Sequence, residues 1–169
     1  MNLPEKANLE KIYGENSACA ARFQSLADNF ARIYKHDHAD FFTSPGRTEI
    51  IGNHVDHNGG KVIAGSINLD TIGAAAPNGT NVILKNAEVV DEDEVDLDKI
   101  SRANYPKGTF ALVAGMMEGA KKNGFQTAGF DAYVSTNVIA AAGVSSSASF
   151  EMLICVIIDY FFNNSKMTY

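Results

Sequence analysis

Near its C-terminal end the sequence reads Ala140-Ala141-Ala142-Gly143-Val144-Ser145-Ser146-Ser147-Ala148-Ser149-Phe150, a loop of small residues that ends in a serine cluster. Residues 150–162, which follow, are almost wholly apolar and long enough for a buried helix. Small side chains let backbone N–H groups approach an anion, and a helix that starts here adds unpaired N–H donors and the positive end of its dipole. Because serine hydroxyls can also simply cap a helix, the segment fits two interpretations, a plain N-cap and a cradle for a nucleotide triphosphate.

A second informative segment lies upstream, at residues 41–60. An aromatic strand is predicted to end at Pro45-Gly46, and Arg47 follows at once. Hydrogen-bonding side chains then cluster before a Gly-Gly turn, at Asn53, His54, Asp56 and His57. Amide, carboxylate and imidazole groups together suit a polyhydroxylated ligand, because hydroxyls both donate and accept. A polar loop with Asx turns is an alternative, and so is a hydrolytic metal held by His54, Asp56 and His57.

Composition and charge narrow the classes of function. At 169 residues the chain suits one domain. A net charge of −6 and the lack of a Lys/Arg cluster argue against a nucleic-acid partner. No apolar run is long enough to span a bilayer, the N-terminus does not resemble a signal peptide, and Cys19 and Cys155 are far apart. We therefore predict a cytoplasmic protein without a membrane partner.

The remaining segments predict alternating helices and strands. Residues 5–35 are predicted to form helix with a break at 14–16, and residues 61–77 a buried strand that forms a hairpin with residues 81–85. The acidic run at 91–98 is predicted to be a solvated loop. A helix is expected to open at 105–108 and end at 123–124, and a strand is expected at 129–138 before the serine loop.

Together the two segments resemble the galactokinase branch of the GHMP small-molecule kinases. That branch carries Gly-Arg-Thr-x-x-Ile-Gly-x-His-x-Asp-x-x-x-Gly, which residues 46–60 match, and a loop ending Gly-Leu-Ser-Ser-Ser-Ala, which residues 143–148 match closely. The resemblance implies an α+β fold with a mixed sheet backed by helices, related in shape to a ribosomal-protein domain. It also implies transfer of the γ-phosphate of ATP to the anomeric hydroxyl of a hexose, with galactose as the expected sugar.

The resemblance carries specific roles onto this sequence. Arg47 falls where the family keeps an arginine near the reacting groups, whose charge stabilises the transition state. Sugar contacts are implied for Asn53, His54, Val55 and Asp56. The triphosphate would be wrapped by Ala141, Ala142, Gly143, Val144, Ser145, Ser146 and Ser147, and Ser147 would contact Mg²⁺.

The chain departs from the family pattern at several positions. Galactokinases usually carry Glu at position 53 and Tyr at position 57, where this chain has Asn53 and His57. An amide donates as well as accepts, so the pattern of sugar hydroxyls that position 53 recognises can differ. The loop has Ile139 and Ala141 where the family has Pro and Gly, and Ala141 restricts the backbone.

Family members run to more than twice this length, and their catalytic aspartate and magnesium-binding glutamate lie C-terminal to the part that residues 1–169 resemble. The expectation is therefore that residues 1–169 form a single N-terminal domain, that the C-terminal domain is absent, and that this polypeptide alone is inactive. Two further alternatives are a kinase of a related sugar, sugar acid or pentose, and a non-catalytic sugar sensor.

Overall fold

The computed structural model describes residues 1–15, 18–52, 55, 58–86, 93–100, 104–105, 107–140 and 142–167. Helices in this part of the chain are α1 (Lys6–Tyr13), α2 (Cys19–Tyr34), α3 (Gly108–Lys122) and α4 (Ser146–Phe162). Strands are β1 (Asp40–Ile51), β2 (Ile63–Pro77), β3 (Val82–Asn86), β4 (Asp93–Val95) and β5 (Phe130–Thr136), and Leu97–Lys99 forms a 3-10 turn. Of the helices described, none has the length and apolar character needed to cross a membrane.

The described strands form one mixed sheet in the order β1-β2-β5-β3-β4. β1 and β2 pair antiparallel over most of their length, and β2 pairs antiparallel with β5. β3 runs parallel to β5 and antiparallel to β4. β5 is buried continuously from Phe130 to Val134, as expected for a central strand that is covered on both faces. The predicted α+β fold with a mixed sheet backed by helices is confirmed.

One face of the sheet packs against α3 and α4. Alternate residues of the strands point to this face, because successive side chains of a strand point to opposite sides. Leu153 of α4 lies over Gly73 of β2, where an added Cβ would be 3.2 Å from Leu153 Cδ2. The buried core on this face includes Phe42, Ala75, Val82, Leu84, Val113, Met117, Phe130, Ala132, Val134, Leu153, Ile154, Ile157 and Ile158.

The other face of the sheet packs against α1 and α2. The apolar residues of α2 recur at spacings of three and four, which places them on one stripe facing the sheet. Tyr34 donates a 2.7 Å hydrogen bond from its hydroxyl to the carbonyl oxygen of Ala132 in β5. Buried residues on this face include Leu9, Phe23, Leu26, Phe30, Ile72, Ala74, Ala76 and Tyr133. The sheet is therefore enclosed by helices on both sides.

The predicted hairpin between residues 61–77 and 81–85 is wrong. β3 runs antiparallel to β2, as a hairpin would require, but β5 lies between them. Asn78 in the turn donates its backbone N–H to the carbonyl of Gly129, just before β5. A strand that is apolar on both faces gains more burial in the centre of a sheet than at its edge, and this outweighs local pairing.

Two further predictions need correction. β1 does not end at Pro45-Gly46 but continues to Ile51, with a register shift between Pro45 and Arg47. An edge strand tolerates proline, because its free side needs no N–H donor. The acidic run includes β4, in which Val95 is buried, and the 3-10 turn, so it is not simply a solvated loop. The predicted helices are confirmed as α1 to α4, and the predicted break at 14–16 is confirmed at Gly14 and Glu15, whereas Asn16 lies outside the described residues.

Candidate active site

The loop before α4 presents the helix N-terminus without a side-chain cap. Gly143 has φ +73° and Ser145, the N-cap residue, has φ +59° and ψ +48°, so the chain turns through left-handed backbone just before the helix. A residue with a β-carbon adopts this conformation at a cost of about 1 kcal/mol. The Ser145 side chain makes no capping hydrogen bond. The plain N-cap interpretation is therefore wrong for Ser145, whose hydroxyl does not occupy the first N–H groups of α4.

Buried hydroxyls anchor the first turn of α4 to the sheet. Ser149 is 2% exposed and donates from Oγ to the carbonyl oxygen of Ser44 in β1 over 2.8 Å. Its Oγ also lies 2.7 Å from Oγ1 of Thr71 in β2, and Thr71 Oγ1 is 2.9 Å from Thr136 Oγ1 in β5. This hydroxyl chain fixes the start of α4 against the sheet.

The loop and strand β1 are in direct contact. The backbone N–H of Arg47 donates to the carbonyl oxygen of Val144 over 3.2 Å. Gly46 permits this approach: a Cβ at this position would lie 2.9 Å from Val144 O and 3.1 Å from side-chain atoms of Ile67 and Val138. The two segments singled out in the sequence are therefore neighbours in the fold, although Gly46 and Gly143 are 97 residues apart in the chain.

A cavity of about 250 Å³ lies between these two segments. Its walls come from β1 and from the loop before α4: Thr48, Glu49, Ile50, Ile51, Gly52, Gly143 and Ser145. A group held in this cavity can meet both the end of β1 and the loop. The geometry thus places the end of β1 and the expected phosphate loop on one cavity.

A second cavity, of about 560 Å³, lies beside the first turn of α4. Its size is within the range of small-molecule sites. Aliphatic and aromatic side chains form most of its wall, and Thr109 and Asn137 add polar groups. Ser146 and Ser147 of the first turn of α4 also line it. The helix N-terminus therefore lies between a small cavity beside β1 and a larger one beside α3.

Arg47 and Glu49 form an ion pair beside the small cavity. Arg47 Nη2 lies 3.1 Å from Glu49 Oε1, and the side chains are 43% and 10% exposed. Glu49 is thus the more buried partner, and the Arg47 side chain keeps some access to solvent. Among the described residues, Arg47 Nε is buried without a hydrogen-bond partner.

The structure describes only part of the predicted sugar-binding set. Val55 is 40% exposed, and its carbonyl accepts from the N–H groups of Asn58 and Gly60. In the loop before α4, Ala142, Gly143 and Ser147 are exposed, and Val144, Ser145 and Ser146 are half-buried. Four predicted site residues lie outside the described residues: Asn53, His54, Asp56 and Ala141. His57, a candidate metal ligand, lies outside them as well.

The oxygen donors beside the helix end fit the needs of Mg²⁺. Mg²⁺ prefers oxygen ligands and usually keeps several waters and substrate phosphates. The exposed Ser147 hydroxyl, in the first turn of α4, is an oxygen donor of this kind beside a helix end that suits phosphate. The part of the chain that is described contains no group of three His, Cys, Asp or Glu side chains that could hold a metal. The residues therefore fit a magnesium ion carried on a bound nucleotide.

One polar cluster was not predicted from the sequence. Asp70 in β2 is 4% exposed and accepts from Arg22 over 2.8 Å, Tyr13 over 2.6 Å and Thr43 over 2.7 Å. Its backbone N–H donates to Oδ1 of Asn137 over 2.6 Å. Burial, and then the hydrogen bond to Asp70, raise the pKa of Tyr13 well above its usual range. A carboxylate within the otherwise apolar run of β2 was the sequence signal for this cluster.

Comparisons with known proteins identify relatives of this chain. A family model described as galactokinase galactose-binding signature matches residues 28–77. The chain is 32% identical to a galactokinase of Clostridium tetani over 149 residues, which is 84% of this chain and 36% of the relative. It is also 32% identical to a galactokinase of Lactococcus lactis subsp. lactis over 162 residues, covering 90% of this chain and 38% of the relative. The chain thus spans well under half the length of these curated relatives.

Solved structures similar to this chain also include a galactokinase. The crystal structure of Lactococcus lactis galactokinase complexed with galactose matches with a TM-score of 0.77 and 31% identity, over 86% of this chain and 38% of that chain. The Methanococcus jannaschii mevalonate kinase matches with a TM-score of 0.64 at 17% identity, over 79% of this chain and 43% of that chain. At that identity the second likeness concerns the fold alone.

The mixed sheet and the loop that leads into α4 place the chain in the class of GHMP small-molecule kinases, in the α+β fold of their N-terminal part. Within that class the chain belongs to the galactokinase family, whose N-terminal part it matches.

Proposed function

We propose that the whole protein to which these residues belong transfers the γ-phosphate of ATP to the anomeric hydroxyl of galactose. The observation that carries the proposal is the hydrogen bond from Arg47 N–H to Val144 O, beside a cavity lined by both β1 and the loop. A kinase needs its two substrates in one cleft, because in-line transfer requires the acceptor oxygen next to the γ-phosphate.

In this proposal the loop binds the phosphates through the N–H groups at the start of α4. Residues 141–147 surround the triphosphate, and the larger cavity beside α3 receives the rest of the nucleotide. Ser147 holds Mg²⁺, which when bound screens the negative charge of the phosphates. The left-handed backbone at Gly143 and Ser145 supports this role, because turns with left-handed residues form anion-binding concavities of backbone N–H groups.

Arg47 has the role of transition-state stabiliser in the proposal. Its side chain is 43% exposed at the edge of the cleft, so the guanidinium can reach the group in transfer. Asn53, His54, Val55 and Asp56 contact the sugar, with the Asp56 carboxylate accepting hydrogen bonds from sugar hydroxyls. Support for these contacts comes from the family motif of residues 46–60 and from the matched signature at residues 28–77.

The test is a panel of sugars with the full-length protein. Galactose, other hexoses, pentoses and sugar acids are each offered with ATP and Mg²⁺, and sugar phosphate is measured. Phosphorylation of galactose in preference to the rest is the expected result. Preference for another sugar would change the assigned substrate but not the family. Asn53 would then be the candidate cause, and the Asn53→Glu variant would test it.

Two other outcomes would contradict the proposal. Binding of sugar and ATP without turnover by the full-length protein would indicate a sensor. Stoichiometric zinc or manganese in the purified protein, without nucleotide, would favour a hydrolase that uses His54, Asp56 and His57.

We further propose that residues 1–169 form one domain and that the catalytic base lies outside it. This polypeptide alone is therefore expected not to phosphorylate any hexose.

A further inference from the structure

We propose that Glu49 is a positioning residue for the candidate active site, and that it holds the guanidinium of Arg47 beside the cleft. The inference rests on the proposed function, because it assigns a role within the same site. The family motif that residues 46–60 match leaves position 49 open. The motif itself therefore does not require a glutamate at position 49.

The backbone brings the two side chains together. Arg47 and Glu49 are two residues apart in β1, so their side chains point to the same face of the strand. The strand register shifts between Pro45 and Arg47 and again between Glu49 and Ile51. Between these shifts Arg47 lies opposite Ser66 and Glu49 lies opposite Ala64. The ion pair thus occupies a short, regular segment between two irregularities.

The two side chains of the ion pair, Glu49 and Arg47, differ in their exposure to solvent. Glu49 is 10% exposed and Arg47 is 43% exposed, with Nη2 and Oε1 3.1 Å apart. The Glu49 side chain is thus largely enclosed, whereas the Arg47 guanidinium is at the end of a long, flexible side chain. Ordering such a side chain costs conformational entropy, and a charge-assisted hydrogen bond to a largely enclosed partner offsets it.

The charge of Glu49 also affects the cleft. Glu49 lines the same cavity as Gly143 and Ser145 of the loop. An unpaired carboxylate there would repel a polyphosphate, and pairing with Arg47 removes most of that repulsion. Neutralising Glu49 should therefore leave ATP binding intact or strengthen it, while it releases the guanidinium. A residue that only supported the fold would instead weaken binding and stability together.

The experiment is a double-mutant cycle in the full-length protein, with Glu49→Gln, Arg47→Ala and the pair combined. We expect Glu49→Gln to lower kcat at least fivefold with KM for ATP unchanged or lower. In the Arg47→Ala background the same change should alter kcat less than twofold, because the guanidinium it positions is gone. Glu49→Asp, which keeps the charge, should retain more kcat than Glu49→Gln.

The control is Glu10→Gln, which removes the charge from a glutamate paired with Lys6 at 3.3 Å on the surface of α1. It should leave kcat unchanged. A crystal structure of the Glu49→Gln protein gives a readout that needs no activity. The guanidinium of Arg47 should have left its position beside residue 49.

Additive effects of the two substitutions on kcat, or a guanidinium that stays in place in Glu49→Gln, would overturn the inference and leave the proposed function standing. A wild-type protein that phosphorylates none of the sugars would overturn the proposed function and this inference with it. The wild-type assay therefore separates the two failures.

Discussion

The N–H of Arg47 and the carbonyl oxygen of Val144 are 3.2 Å apart, which joins the edge strand β1 to the loop before α4. The contact depends on the missing side chain of Gly46, because a Cβ would lie 2.9 Å from the same carbonyl oxygen. One backbone hydrogen bond therefore sets the distance between the segment expected to bind sugar and the segment expected to bind phosphate.

Gly46→Ala should disturb this junction. Because the nearest atom to the new Cβ is a backbone oxygen, the loop has to shift, and we expect a loss of about 1–3 kcal/mol in the free energy of unfolding. The full-length protein should also bind ATP at least tenfold more weakly by calorimetry. Gly65→Ala in β2 is the matched control, since its Cβ would have only Ile50 Cδ1 nearby, at 3.9 Å. Equal effects of the two substitutions would show that the Gly46 contact is not decisive.

Ser149→Ala should loosen the start of α4. The substitution leaves the buried carbonyl of Ser44 and the hydroxyl of Thr71 without this partner, which costs about 1–3 kcal/mol. Urea unfolding measures the change, and Ser66→Ala, at an exposed position of β2, serves as the control. A change below about 0.5 kcal/mol for Ser149→Ala would mean that the hydroxyl chain does not stabilise the fold.

Asp70→Ala should be among the most damaging single changes in the chain. It leaves the Arg22 guanidinium and the Tyr13 and Thr43 hydroxyls without their shared acceptor, and breaking a buried ion pair costs about 3–5 kcal/mol. Asp70→Asn, which keeps the shape, should cost less. Glu10→Ala breaks an exposed ion pair and should cost at most about 1 kcal/mol by the same unfolding measurement. A cost for Asp70→Ala no larger than this would contradict the role of the cluster.

The raised pKa of Tyr13 predicts a loss of stability in alkali. Burial and the Asp70 carboxylate favour the protonated phenol in the folded state, whereas the unfolded chain releases that proton near pH 10. The stabilisation is therefore fully present below about pH 10 and declines as the pH rises above it. The free energy of unfolding should fall more steeply between pH 9 and pH 11 in the wild type than in Tyr13→Phe. Parallel curves would show that Tyr13 has an ordinary pKa.

Local patterns predicted the helices well. The stripe of α2, the apolar run of α4 and the Asn123-Gly124 end of α3 depend on residues three or four positions apart, so a short window contains the information. Strand pairing is different. β5 separates β2 from β3 because a strand buried on both faces is most stable in the centre of the sheet, and no local turn signal reports that.

The sequence by itself determined the pair of motifs, because each depends on residue types at short spacings, and the resemblance that these motifs carry implied the fold class and the family. Only the tertiary structure decided that Arg47 meets Val144, that Glu49 pairs with the Arg47 guanidinium, and that Tyr13, Arg22 and Thr43 converge on Asp70. These contacts join residues on different elements, or depend on which face of a strand is buried. Both follow from the packing of the whole sheet between its helices.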